Sequence, residues 1–92
     1  MSELEILNSA SNAVIARHSD REYPGVLIQG DILRIFLDDL DELREALDAV
    51  ELDSAKEISE ALQERIKDLL IHYENVLDEK GLPLPYMNSV RG

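Results

Sequence analysis

The sequence has no cysteine, and only nine of its 92 residues are basic. Without cysteine the chain has no disulfide framework, no thiolate metal site and no cysteine nucleophile. No apolar run approaches the roughly 20 residues that span a bilayer. The acidic start, Met1 to Glu5, lacks the basic-then-apolar pattern of a signal peptide. We therefore expect a soluble, cytoplasmic protein.

Acidic residues dominate the charged positions. Twenty acidic and nine basic residues give a formal net charge of −11. Such a chain repels phosphate backbones and anionic lipid, so we expect neither a nucleic acid nor a membrane as partner. A basic protein partner is compatible with this charge. The alternative is that the charge only keeps the chain in solution.

The length suits one small domain, and 45% hydrophobic residues suffice for a packed core. We assign residues 1–87 to this single domain and expect residues 88–92 to form a frayed tail.

Residues 23–33 form the centre of the predicted organisation. Pro24-Gly25 indicates a turn, and the apolar, β-branched residues 26–28 predict a short strand. Gly30 then permits a sharp bend, and Asp31 is placed to cap a following helix.

Ala13 to Ala16 form a second apolar segment and predict a strand. The charged connection 17–22 joins it to residues 26–29, which favours an antiparallel β-hairpin. Leu4 to Leu7 fit either a short strand or a helical turn, and residues 8–12 are rich in turn formers.

The first helix is predicted from Asp31 to Val50. One face is apolar at spacings of three and four, and the opposite face is acidic. The predicted inner stripe is Ile32, Phe36, Leu40, Leu43, Leu47 and Val50. Additional apolar residues, Leu33, Ile35 and Leu37, widen the apolar arc in the first half.

The second helix is predicted to begin at Ser54, which forms a capping box with Glu57, or at Asp53. It runs to about Lys80, where Gly81 suits a left-handed C-cap. Its predicted stripe is Ala55, Ile58, Leu62, Ile66, Leu69, Tyr73, Val76 and Leu77. The proline-rich residues 82–87 predict an extended arm. The fold class is therefore α+β: a short N-terminal antiparallel β-hairpin followed by a long antiparallel αα-hairpin.

The charged connection holds the first candidate site, with Arg17, His18, Arg21 and Tyr23 close together. Such a group can bind an anion, or His18 and Asp20 can form an acid–base pair. Catalysis also requires a nucleophile or metal in a pocket, and adjacency in sequence does not supply that geometry. We therefore expect a binding loop and no enzymatic activity.

Polar residues on the second helix form no complete ligand set. Glu64, Asp68 and His72 are spaced four apart, and Glu74 lies nearby. We interpret these residues as a solvated helix face and expect no metal and no cofactor. The segment between Gly25 and Gly30 also lacks the Lys and Ser or Thr of a phosphate loop.

Two surfaces are candidates for protein contacts. An acidic face that covers a basic surface, such as that of a nuclease toxin, is typical of an immunity-type inhibitor, although most amphipathic helices have a charged solvent face. Apolar residues beyond the stripes favour a homodimer instead. The acidic face consists of Asp38, Asp41, Glu42, Glu45 and Asp48; the dimer residues are Ile35, Leu37 and Ile71.

The central segment resembles a family of small bacterial proteins with an Arg-x-aromatic-Pro-Gly-Val-x-Ile-Gln-Gly-Asp pattern after an Asn-Ala strand. Tyr23 stands where phenylalanine is expected and Ile32 where serine is expected, so helix capping differs. The resemblance covers residues 12–37; it implies a bacterial, cytoplasmic setting and no established activity. The matching residues are Asn12, Ala13, Arg21, Tyr23, Pro24, Gly25, Val26, Ile28, Gln29, Gly30, Asp31 and Leu33.

Overall fold

The structure, a computed structural model, describes residues 4–8 and 13–91. Three antiparallel strands in the order β1-β2-β3 precede two helices that pack as an antiparallel hairpin. The predicted α+β class is thus confirmed. Contacts divide the chain into two compact units, Met1–Ile28 with Asp68–Gly92, and Gln29–Lys67. The elements are β1 (Leu4–Asn8), β2 (Ala13–His18), β3 (Gly25–Ile28), α1 (Gly30–Asp48) and α2 (Leu52–Glu79).

The sheet contains one strand more than the predicted hairpin. Residues 4–8 form β1, so their strand interpretation is the correct one. Ile15 of β2 pairs with Val26 of β3, and a register shift interrupts β1 between Ile6 and Asn8. Most of the turn predicted at 8–12 lies outside the described residues.

The core of the first unit joins the sheet to the C-terminal part of α2. Ile15 and Leu77 are fully buried and cluster with Tyr73 and Val76. The Tyr73 hydroxyl donates a 2.7 Å hydrogen bond to the Pro24 carbonyl. Burial raises the pKa of Tyr73. This bond fastens the turn of the central segment to α2.

Glu74 anchors the segment that follows α2. Its carboxylate is fully buried and accepts hydrogen bonds from the hydroxyls of Tyr86 (2.8 Å) and Ser89 (2.6 Å). It also accepts from the backbone N–H groups of Val90 (3.0 Å) and Arg91 (3.2 Å). Residues 88–92 were expected to fray, whereas Ser89 to Arg91 are held by this carboxylate.

Both helices begin differently from the sequence prediction. Gln29 is the N-cap of α1 and makes no side-chain capping bond. The Asp31 carboxylate lies one turn further in, where it accepts a 3.0 Å bond from the N–H of Ile32. The second helix begins at Leu52, with the Ala55 N–H bonded to the Glu51 carbonyl, so the predicted Ser54 cap is wrong.

The two glycines of the central segment are not required by backbone geometry. Gly81 has a positive φ of 67°, whereas Gly25 and Gly30 do not have positive φ. A Cβ atom built at either position would meet nothing within 4 Å. Gly25 is the first residue of β3 and Gly30 the first of α1, so neither forms the sharp bend that the sequence predicts.

The helices end in the same hydrogen-bond pattern. The Leu82 N–H bonds to the Leu77 carbonyl and the Gly81 N–H to Asp78, which is a Schellman motif with Gly81 in the left-handed position. The predicted C-cap is therefore confirmed. The end of α1 repeats this pattern, with Val50 at φ 56° in the equivalent position.

The second unit is a thinly packed helical hairpin. Ala46 of α1 and Ala55 of α2 are its buried hydrophobic residues. An ion pair of 2.7 Å between Arg65 and Asp39 bridges the two helices. Part of each predicted stripe is wrong, because the inner face of α1 runs through Ile32, Phe36, Leu43 and Ala46. The predicted core residues that are exposed are Leu40, Leu47, Val50 and Ile66.

Candidate functional site

The connection between β2 and β3 separates Arg17 from its predicted neighbours. Arg17 lies directly across from Glu5 in the β1–β2 register, and its guanidinium forms a 2.7 Å ion pair with that carboxylate. Opposite charges at such cross-strand positions stabilise a sheet. Arg17 is therefore neutralised, and the prediction that it binds an anion is corrected.

His18, Arg21 and Tyr23 do come together. They line an open cleft of about 350 Å³ on one side of the sheet, with the apolar residues Leu4, Ala16, Gly25, Val26 and Leu27. We call this the loop cleft. Among the residues that the structure describes, no acidic group forms an ion pair with Arg21. The loop cleft therefore presents one cation beside an apolar wall.

The geometry of His18 is that of a turn. Its Nδ1 atom accepts a 3.2 Å hydrogen bond from the Asp20 N–H, which requires Nδ1 to be unprotonated. The Arg21 N–H bonds to the His18 carbonyl at 2.9 Å, which closes the same turn. These bonds fix the connection, and they give His18 no reacting partner of the kind that general acid–base catalysis needs.

The acidic residues of α1 fall on two sides of the hairpin. Each residue turns the helix by about 100°, so Glu42 and Glu45 lie toward one flank, whereas Asp41 and Asp48 lie on the outer side, away from α2. Asp38 is paired with Arg34 at 3.1 Å. Across residues 4–8 and 13–91, the four other carboxylates have no ion-pair partner. We name the first side, with Asp38, Glu42 and Glu45, the acidic flank.

The acidic flank contains a cleft at the turn between the helices. Its volume is about 400 Å³. The carboxylates of Glu42, Glu45 and Glu51 line it, and Ser54 supplies a hydroxyl. The apolar part of its lining consists of Ala46, Ala49 and Ile58. Such an arrangement suits the aliphatic stem and charged end of a lysine or arginine side chain.

The opposite flank of the hairpin is apolar. By the same helical period, Leu33, Leu40 and Leu47 share the side of α1 that faces away from the acidic flank, with Leu37 at its margin. Leu52 and Ile66 occupy the matching side of α2. All six residues are between 45% and 64% exposed. We call this surface the leucine flank.

The predicted dimer residues are not brought together. Leu37 joins the leucine flank, but Ile35 lies on the side of Glu42, more than a third of a turn away. Ile71 is half-buried on the part of α2 that belongs to the first unit.

The chain was compared with known proteins once this geometry was established. The sequence model of one protein family matches residues 1–86 and carries the description "family of unknown function (DUF6959)". The chain belongs to the DUF6959 family. No curated protein and no solved structure matches it. The expectation of a family of unknown function is confirmed, whereas the motif and the bacterial origin stay predictions.

Metal and membrane features were searched throughout the described part of this DUF6959 protein. Within residues 4–8 and 13–91, no three His, Asp or Glu side chains are grouped so that they could hold a metal ion. In the same part of the chain, neither helix combines the length and the apolar character that a membrane crossing demands.

Sequence reasoning missed two features of the DUF6959 protein. Glu74 and His72 were assigned to a solvated helix face, but Glu74 is fully buried, and the Nε2 atom of His72 is buried without a hydrogen-bond partner in the described structure. No sequence signal marks either residue. The leucine flank did have a signal, because Leu33 and Leu37 widen the apolar arc of α1 beyond one stripe.

Proposed function

We propose that this DUF6959 protein is a non-enzymatic protein-binding protein that takes a basic partner on its acidic flank. The observation that supports this proposal is the cleft in which Glu42, Glu45 and Glu51 surround an apolar lining. A surface that only keeps a protein in solution needs no such concave arrangement of carboxylates.

Unpaired charge supports the same proposal. In the described structure, Glu42 and Glu45 have no ion-pair partner, so a cation supplied by a partner finds them available. A carboxylate paired with an incoming lysine or arginine makes a charge-assisted hydrogen bond, which is stronger than a neutral one. The net charge of −11 adds long-range attraction that accelerates encounter with a basic protein.

The more specific form of the proposal is an immunity-type inhibitor that covers the basic surface of a toxin inside a bacterial cytoplasm. Small size and strong negative charge support it, since a nuclease surface that binds phosphate is basic. In this form the acidic flank occupies the surface on which the toxin would otherwise bind its substrate.

A charge-reversal experiment tests the acidic flank. The tagged chain is used to retain proteins from host lysate at about 50 mM NaCl, where exposed charges are weakly screened, and the retained protein is then purified and titrated. For Glu42→Lys with Glu45→Lys, we expect the affinity to fall about 100-fold, and the wild-type affinity to fall as salt is raised.

The matched control is Glu57→Lys with Glu64→Lys, which makes the same charge change on the outer side of α2. We expect this control to weaken binding by no more than about threefold. An equal loss in both variants would reduce the acidic flank to general charge, and retention of no basic protein would overturn the proposal.

The loop cleft supports a second candidate function, the binding of a small anion. The supporting observation is the Arg21 guanidinium, which has no ion-pair partner in the described residues and lines the cleft beside His18 and Tyr23. Titration with inorganic phosphate or acetate, followed by NMR, should shift the amide signals of residues 18–23. An unchanged response in Arg21→Ala would contradict this candidate.

A further inference from the structure

The leucine flank is not used by the proposed function. Six side chains, each roughly half-exposed, follow one side of the hairpin over most of its length. Single exposed leucines are ordinary, but a contiguous apolar surface of this size marks an interaction site.

The charges along this flank follow a pattern that depends on height in the hairpin. The Arg65–Asp39 ion pair and the cleft that joins Ala46 to Ile58 set the register of the two antiparallel helices. Each residue further along α1 is one residue back along α2. Arg44 is therefore level with Glu60, and Asp48 is level with Lys56.

These four residues lie on the outer rims of the leucine flank, on opposite helices, and none forms an ion pair in the described structure. A single chain cannot bring them together, because the full width of the hairpin separates the two rims. In a second chain placed face to face, the rims would come within reach.

We propose that a second copy of this chain covers the leucine flank, so that two hairpins form an antiparallel four-helix bundle. A two-fold axis parallel to the helices places α1 of one copy over α2 of the other and preserves the heights of all residues. Arg44 of each copy then faces Glu60 of the other, and Asp48 faces Lys56. The rims are thus complementary in charge for this one arrangement.

The apolar area fits a dimer. Half of an aliphatic side chain amounts to roughly 60 Å², so the six residues supply roughly 350 Å² of apolar surface per copy. An interface of standard size buries about 800 Å² per partner, somewhat more than half of it apolar. The rim side chains, with their long aliphatic stems, provide the polar remainder.

The bundle leaves the acidic flank exposed, because the two flanks lie on opposite sides of the hairpin. Dimerisation and the binding of a basic partner therefore use separate surfaces. Failure of one proposal does not imply failure of the other.

Sedimentation equilibrium of the full chain tests the dimer. We expect a mass near twice 10.4 kDa for the wild type. Leu40→Asp should place a charge in the apolar surface and weaken association by about 100-fold. Leu27→Asp, a change at an exposed leucine of the sheet, is the matched control and should leave the mass unchanged.

A charge exchange tests the arrangement without disturbing apolar residues. Arg44→Glu creates two like-charge contacts per dimer and should weaken association by about tenfold. Adding Glu60→Arg in the same chain recreates the opposite-charge pairs, so we expect recovery to within about threefold of the wild type.

The far-ultraviolet circular dichroism of every variant establishes that the helices are intact. A monomeric wild type at all concentrations would overturn the proposal, as would a dimer that Leu27→Asp disrupts and Leu40→Asp does not. Failure of the double variant to recover association would overturn the four-helix arrangement.

Discussion

At the scale of single residues, Glu74 has the most unusual environment. A fully buried carboxylate is costly unless its oxygens are hydrogen-bonded. Burial favours the neutral acid, but the hydrogen bonds that Glu74 accepts outweigh this effect and lower its pKa to about 2. Burial and the adjacent carboxylate raise the pKa of Tyr86, one of the donors, to about 12.

The low pKa of Glu74 predicts a pH-dependent contribution to stability. Because the pKa in the folded state lies below the ordinary value of 4.5, the stabilisation is fully present above that value and is lost as pH falls toward 2. Glu74→Gln should therefore lower the melting temperature by several degrees at pH 7. We expect the difference from wild type to shrink progressively below pH 4.5.

Thermal unfolding followed by circular dichroism between pH 2 and pH 7 measures this effect. Glu79→Gln, which changes an exposed glutamate at the end of the same helix, is the control and should have little influence at any pH. A difference between wild type and Glu74→Gln that stays constant across the range would contradict the ionised state of Glu74.

At the scale of elements, the two helix ends share one hydrogen-bond pattern with different residues at the left-handed position. Gly81 adopts φ 67° without a Cβ atom, whereas Val50 adopts φ 56° with a branched one. A positive φ is strained for β-branched residues. Val50 is 74% exposed, so its side chain gains little from packing.

Replacing Val50 by glycine should therefore stabilise the protein. We expect Val50→Gly to raise the free energy of unfolding by about 1 kcal/mol, and Gly81→Ala to lower it by about 1 kcal/mol. Urea titration at one protein concentration measures both changes. Ala49→Gly is the control, since its residue has ordinary helical φ and should lose stability on the change to glycine. Destabilisation by Val50→Gly would show that its left-handed conformation is not strained.

At the scale of the whole molecule, charge is distributed unevenly along the chain. Residues 29–67 contain twelve of the twenty acidic residues and five of the nine basic ones. The sheet and the end of α2 carry a smaller excess. Repulsion among like charges opposes folding and is reduced by salt.

Added salt should therefore stabilise this protein. Between about 20 mM and about 200 mM NaCl the screening length falls from about 20 Å to about 7 Å, and we expect the melting temperature to rise by a few degrees. Glu57→Gln with Glu64→Gln removes two negative charges and should reduce this response. A melting temperature that falls with salt would show that favourable ion pairs outweigh the repulsion.

The sequence by itself determined the order and type of the elements. Periods of two and of three to four residues are local properties, and they predicted β2, β3 and both helices to within a few residues. The left-handed end at Gly81 was equally local, because glycine there requires no partner elsewhere in the chain. For the candidate site, the sequence identified the acidic residues of α1 and the cluster of His18, Arg21 and Tyr23.

The tertiary structure decided which of these residues are covered and which meet. Leu40 and Leu47 carry the same spacing as buried residues, yet they are exposed because α2 packs against an adjacent face of α1. Arg17 is neutralised by Glu5 across the sheet, and Glu74 is buried by residues that follow the helix. Burial and pairing depend on contacts between distant parts of the chain, as in the bond from Tyr73 to Pro24. A local period has no information about such contacts.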